Sequence, residues 1–142
     1  MLIGEFTHSI DTKNRCALPA KFRKEMGKKV VVTRGLDSCL SVYTVSSWKK
    51  ISEKLESLSM TKANERAFNR FMLSGAVEVD VDSQGRILVP DYLQEFAKID
   101  KKVVWTGAGD KAEIWAEETW SKYVSSVQES PETLAESLEG II

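Results

Sequence analysis

An aspartate followed four residues later by an arginine occurs twice in this chain, each time ahead of a short apolar run ending in proline. The first copy is Asp11-Thr-Lys-Asn-Arg15-Cys-Ala-Leu-Pro19; the second, 71 residues on, is Asp82-Ser-Gln-Gly-Arg86-Ile-Leu-Val-Pro90. A carboxylate in that position accepts backbone N–H groups across a turn, as Asx-turns do. The arginine then has two uses. It pairs with the aspartate and pins a hairpin, a purely structural role. Otherwise it projects from a sheet edge, where its fork can grip a phosphate or read guanine O6 and N7 bidentately.

The neighbours of the first copy favour the second use. Lys13, Arg15, Lys21, Arg23 and Lys24 cluster around one turn and the start of the following helix. Residues 11–34 carry eight basic groups against two acidic, whereas 113–142 carry seven acidic against one basic, so the formal net charge of −1 hides a polarised chain. Neutralising closely spaced duplex phosphates releases counterions, and a strand–turn–strand ribbon is narrow enough for the major groove. The second copy is poorer: 78–102 hold six acidic groups against four basic. Unequal roles are therefore expected, with Lys13 and Arg15 carrying more affinity than Arg86, which partly holds the fold. The candidate DNA-contacting residues are Lys13, Asn14, Arg15, Lys21, Arg23, Gln84 and Arg86, and Asp11 and Asp82 set the turns.

The elements that must position these turns are themselves duplicated. Val30-Val-Val-Thr33 answers Val103-Val-Trp-Thr106, Val42-Tyr43 answers Ile114-Trp115, and Trp48 answers Trp120. Each copy reads as about four short strands around one short helix, with strands near 30–34, 39–43, 102–106 and 112–116. Pro19 and Pro90 are expected at the first helical position. Phe22 and Met26, then Leu93, Phe96 and Ala97, give those helices an apolar face. Between the copies, Trp48, Ile51, Leu55 and Leu58 predict an amphipathic helix over 47–58. Ala63, Ala67, Phe68, Phe71 and Met72 predict another over 61–74, closed by Gly75, so that the pair makes a helical hairpin. Trp120, Tyr123, Val124 and Val127 begin a C-terminal helix. Ser130-Pro131-Glu132 then opens a last one as N-cap, N1 and N2. Only Leu134 and Leu138 give it strong apolar contacts, so it is expected to be marginal or mobile.

Other chemistry is not supported. A chain of 142 residues, 42% hydrophobic and 29% charged, suits one ordinary domain or two very small ones and is not disordered in bulk. No apolar run approaches a membrane span, and the start MLIGEFTHSIDTK lacks the layout of a secretion signal. Gly107-Ala-Gly109-Asp-Lys-Ala112 matches a relaxed dinucleotide pattern, but Glu113-Ile-Trp115 after it reads as a strand where a helix is needed. His8 stands alone. Cys16 and Cys39 lack metal-site spacing and a paired base, which points to a reduced compartment without thiol catalysis. No enzyme, cofactor or metal site is expected. Trp48, Trp105, Trp115 and Trp120 are expected in the core or at a subunit contact, the last two, with Tyr123, as core or interface residues.

The doubled Asp-x-x-x-Arg motif with its following strand and Pro resembles the MraZ family of SpoVT-AbrB-like transcriptional regulators. The linker Asn64-Glu-Arg66-Ala-Phe68-Asn-Arg70-Phe71 and the tryptophan closing each half extend the likeness over nearly the whole chain. Asn14, where glycine is usual, and Cys16, where an aliphatic residue is usual, depart from the pattern; asparagine tolerates a positive φ, so the turn is expected to survive. The resemblance implies an α+β fold in which two tandem AbrB-like units form an intramolecular pseudo-twofold swapped-hairpin β-barrel. Repeat 1 would span 5–47, a helical linker 48–75, repeat 2 76–119 and a C-terminal helical tail 120–142. It further implies a cytoplasmic, nucleoid-associated regulator that binds double-stranded promoter DNA at direct repeats in the cell-division and cell-wall gene cluster. Chains would assemble into ring-like homo-oligomers, with no membrane partner. The competing reading is a structural or protein-interaction module whose Asp-x-x-x-Arg turns are only internal salt bridges.

Overall fold

A computed structural model describes residues 1–142. In chain order the elements are β1 (Glu5–Ser9), β2 (Arg15–Ala17), α1 (Ala20–Met26), β3 (Lys29–Arg34), β4 (Leu40–Thr44), α2 (Val45–Glu56) and α3 (Ala63–Gly75). The second half continues with β5 (Val77–Asp80), β6 (Arg86–Leu88), α4 (Asp91–Phe96), β7 (Lys102–Gly107), β8 (Lys111–Ala116), α5 (Glu117–Glu129) and α6 (Pro131–Glu136). The fold is a mixed α+β one built on antiparallel strands.

Six strands form one sheet in the order β1-β7-β8-β4-β3-β5, and β2 pairs with β6 in a separate two-stranded ribbon, with one further bridge from Cys16 of β2 to Ile10. The halves are interleaved. β1 of the first half pairs with β7 of the second, β5 of the second with β3 of the first, and β4 with β8 joins them. The hydrogen-bonded ladders do not close into the expected barrel, and β1 and β5 remain edges of an open sheet. β2 and β6 are three residues long and each runs towards a proline with no N–H to donate. They pair with each other in the register Arg15–Leu88, Cys16–Ile87, Ala17–Arg86. The ribbon is extended at both ends by Leu18 N–H to the Gly85 carbonyl and Val89 N–H to the Asn14 carbonyl, 2.8 Å each.

One sheet face, with Val30, Val32, Val42, Val103, Trp105 and Ile114, is covered by the inner side of this ribbon, by Phe22 and Met26 of α1, by Leu93 of α4 and by Ala97 just after it. These residues are at most 2% exposed, so they form the main core. The opposite face carries Tyr43 under Leu55 of α2 and Met72 of α3, and Val104 and Trp115 under Trp120 of α5. Trp115, Trp120 and Tyr123 make one aromatic cluster, with ring centroids 4.9–6.2 Å apart.

Boundaries differ from the sequence reading in instructive places. Pro19 and Pro90 are N-caps with extended ψ, one residue ahead of the first helical position. α2 starts at Val45 because the Thr44 hydroxyl caps it, accepting the Ser47 N–H at 3.1 Å. In α3, Ala63 and Ala67 are exposed, and the buried side is Met72 and Gly75. Gly75 lets two side chains come close: a Cβ there would lie 2.9 Å from Arg34 Nη1 and 3.2 Å from Thr33 Oγ1. The last α3 carbonyls are capped by Thr33 Oγ1 on Met72, Arg34 Nη1 on Phe71 and the Tyr92 hydroxyl on Gly75, at 2.6, 3.0 and 2.9 Å. Ser130 stands at the N-cap of α6 but its hydroxyl caps nothing, and no α6 residue is buried. No helix is long and apolar enough to cross a membrane.

Candidate nucleic-acid interface

The two Asp-x-x-x-Arg segments fold into the same turn. Asp11 Oδ1 accepts the backbone N–H groups of Lys13 and Arg15, both at 2.9 Å, and Oδ2 accepts Arg15 Nε at 2.8 Å. Asp82 does the same for Gln84 N, Arg86 N and Arg86 Nε, again at 2.9, 2.9 and 2.8 Å. The fourth residue of each turn is left-handed, Asn14 at φ 63° and Gly85 at φ 77°. In each aspartate the hydrogen bond from the arginine backbone N–H is the main cause holding the carboxyl below its ordinary 3.8, helped by the guanidinium.

Each guanidinium is therefore tethered through Nε alone. Neither Arg15 nor Arg86 donates any other side-chain hydrogen bond, and their side chains stay 32% and 29% exposed. Because Cys16 and Ile87 point into the core, Arg15, Ala17, Arg86 and Leu88 all face outward from the ribbon. Arg15 and Arg86 are diagonal neighbours on that face and line one shallow cavity of about 430 Å³ with Glu78 and Asp80. The structure thus brings together two arginines that the sequence separates by a half-chain.

The remaining candidates divide. Lys13, Lys21 and Gln84 are exposed, with no side-chain partner in the chain. The Asn14 amide is engaged, donating to Asp91 Oδ1 at 3.1 Å and accepting from Gln94 Nε2 at 3.0 Å, so it braces its turn against α4. Arg23 reaches the second half: its Nε donates to the Leu18 carbonyl of its own half at 3.4 Å, and the side chain lies directly against Gly85 of the other. A window of residues counted along the chain assigned that charge to the first turn; the interleaving delivers it to the second. Arg34, also counted with the basic cluster, is spent on α3 and on the Phe71 ring 5.8 Å from its Cζ. Sequence reasoning missed Asp91 and Gln94 as turn supports; the 71-residue offset that maps Arg23 onto Gln94 was the available signal.

Cys16 has an answer in this geometry. Fully buried beneath the ribbon, its Sγ accepts the Trp105 indole N–H at 3.4 Å, and burial pushes its thiol up to about 11. Cys39 is buried too, its thiol raised to about 12 by burial and the nearby Glu113. Neither is an activated nucleophile. His8 is half-buried, and burial, with the Arg23 charge, lowers its pKa below 6.5. Gly107 and Gly109 sit at the β7–β8 turn, followed by a strand; a Cβ at Gly107 would fall 2.5 Å from Ile3 Cα, so that glycine admits the N-terminal segment and holds no pyrophosphate.

The model of the family described as "MraZ protein, putative antitoxin-like" matches residues 1–71 and again 72–139. The chain belongs to the MraZ family. Among curated relatives, the transcriptional regulator MraZ of Caldanaerobacter subterraneus subsp. tengcongensis is 52% identical over 139 residues, covering 98% of this chain and 97% of its own. Those of Thermoanaerobacter sp. strain X514 and Heliobacterium modesticaldum are 49% and 50% identical, over 99% and 97% of this chain and 99% and 96% of theirs. The two matches of the MraZ model fall on the two Asp-x-x-x-Arg turns, one in each half.

Proposed function

We propose that this MraZ-family chain is a sequence-specific DNA-binding transcriptional regulator. Its site is the outward face of the β2–β6 ribbon and the two turns beside it. The observation that carries the reading is the tethering of Arg15 and Arg86 by Nε only. That bond fixes each fork's direction and leaves its terminal amines to donate to phosphate oxygens or to guanine O6 and N7. Lys13, Lys21 and Arg23 supply further positive charge, Gln84 a neutral amide, and Asp11, Asp82 and Asn14 hold the turns in shape. The relatives' name, transcriptional regulator, agrees with it.

The finer reading is that the chain acts in the cytoplasm, at the nucleoid, on direct repeats in the promoter of the cell-division and cell-wall gene cluster, bound as a ring-like homo-oligomer. One ribbon presents few cations, and several chains on successive repeats gain affinity without new contacts. The test is a mobility-shift titration against the region upstream of the chain's own coding sequence, at two salt concentrations. Affinity should fall steeply with salt. Arg15→Ala and Arg86→Ala should each weaken binding while the melting temperature moves little. The Nε–carboxylate bonds favour one competing reading, an interaction module with purely structural turns. Negligible DNA affinity at low salt, with Arg15→Ala lowering the melting temperature sharply, would select it.

A further inference from the structure

The two turns share one backbone frame, so the side chains at their third positions leave from equivalent points at opposite ends of the ribbon. Those residues are Lys13 and Gln84, and each backbone N–H is bonded 2.9 Å from its aspartate Oδ1. Both side chains are exposed and neither is bonded to anything in the chain. Arg15 and Arg86, identical in type and tether, cannot make the turns differ in what they recognise. Positions 13 and 84 can.

The geometry points to a division of labour resting on the DNA-binding reading: the 11–15 turn anchors on phosphate through Lys13, and the 82–86 turn reads base edges through Gln84. Lysine is a compact point charge on a flexible stem, suited to any phosphate whatever the base pair. Glutamine gains nothing from counterion release. Its amide carries a donor and an acceptor side by side, the pattern that matches adenine N6 and N7 in the major groove. The tips differ to match. Asn14 ties the first turn down to Asp91 and Gln94. In the second, Gly85 has no side chain, and the adjacent charge is borrowed from Arg23. The neutral reading residue thus has a cation beside it to hold the backbone in register, as phosphate contacts do for base contacts.

The experiment uses the full chain and a labelled duplex of the region upstream of its own coding sequence, with a panel in which each base pair is changed in turn. Wild type, Lys13→Gln, Gln84→Ala and Gln84→Lys are titrated at several salt concentrations, with melting curves run alongside. Lys13→Gln should weaken every duplex by a similar factor and reduce the salt slope by about 1 for each turn engaged. Gln84→Ala should keep the wild-type salt slope and lose about 5- to 150-fold discrimination at one base pair. Gln84→Lys should raise affinity for all duplexes, steepen the slope and lose the same discrimination. Unchanged base preference in Gln84→Ala, or altered preference with an intact slope in Lys13→Gln, overturns the assignment while DNA binding stands. Absence of salt-dependent binding by wild type on every duplex overturns both readings together.

Discussion

Arg23 and Gln94 occupy the same position in the two half-units, 71 residues apart, and each braces the other half's turn. Arg23 Nε donates to the Leu18 carbonyl and packs on Gly85; Gln94 Nε2 donates to the Val89 carbonyl at 2.7 Å and to Asn14 Oδ1 at 3.0 Å. Neither turn is held by its own half alone. The ribbon that presents Arg15 and Arg86 exists only when both halves are folded together.

Gly85 is where that brace is tightest. An alanine there would sit at φ 77° with its Cβ 2.6 Å from Arg23 Cζ. The guanidinium is the far end of a flexible side chain and can swing away, so the main cost is the left-handed backbone, about 1–2 kcal/mol. Gly85→Ala should therefore lower the melting temperature by about 2–8 °C in a domain of this size. Gly85→Asn should cost less, since asparagine holds φ 63° at the equivalent Asn14. The same series repeated in an Arg23→Ala background separates the two causes: a backbone cost survives there, whereas a clash disappears.

The turns were legible in the sequence because their determinants are local. An aspartate, a left-handed residue and an arginine within five positions specify the same hydrogen bonds wherever they occur, so the repeat alone exposed them. The partners of Arg23, Asn14 and Cys16 were not legible. Gly85 against Arg23, Asp91 and Gln94 on Asn14, and Trp105 on Cys16 all lie in the other half, and strand pairing across some 70 residues is set by which buried faces fit together. Summing charge along the chain consequently put Arg23 beside the wrong turn. Trp105 and Cys16 were read as an undirected aromatic and an unexplained thiol, though the register that buries both makes them hydrogen-bond partners. The open strand order was not legible either, because it is set by pairings between the halves, β1 with β7, β5 with β3 and β4 with β8.

Thiol chemistry gives a second check. Cys16 and Cys39 are both fully buried, with thiols pushed up to about 11 and about 12. At pH 8 an aromatic disulfide reagent should label neither in the folded chain and both in denaturant, at the rate of global unfolding. Trp105→Phe removes the indole donor and leaves a gap in the core, costing about 1–3 kcal/mol, so labelling of Cys16 should accelerate. Fast labelling of Cys16 in the wild type would mean that the thiol is reached without unfolding.

The last helix should be dispensable for folding. With no buried residue in α6, and Leu134 and Leu138 50% and 40% exposed, removing residues 131–142 deletes almost no packed surface. The melting temperature should change by less than about 2 °C. A loss several times larger would mean that these leucines are covered in solution, by this chain or by another copy.

Acid titration tests the turn geometry directly. Asp11 and Asp82 have folded pKa values below 3.8, chiefly through the backbone N–H groups of Arg15 and Arg86. Below that pH the unfolded chain binds more protons than the folded one, so these carboxylates stabilise the fold fully above about pH 4. Their contribution is lost as pH falls through the lowered values. His8 acts the same way in a higher window: its pKa is lowered by burial and by Arg23, so stability should begin to fall below about pH 6.5. Urea midpoints measured from about pH 2 to pH 7 should show both limbs. Asp11→Asn with Asp82→Asn should flatten the lower limb and leave the upper one, and His8→Gln should do the reverse. An acid limb unchanged in the double asparagine variant would mean that the carboxylates do not hold the two arginine turns, and the fixed direction of both forks would go with them.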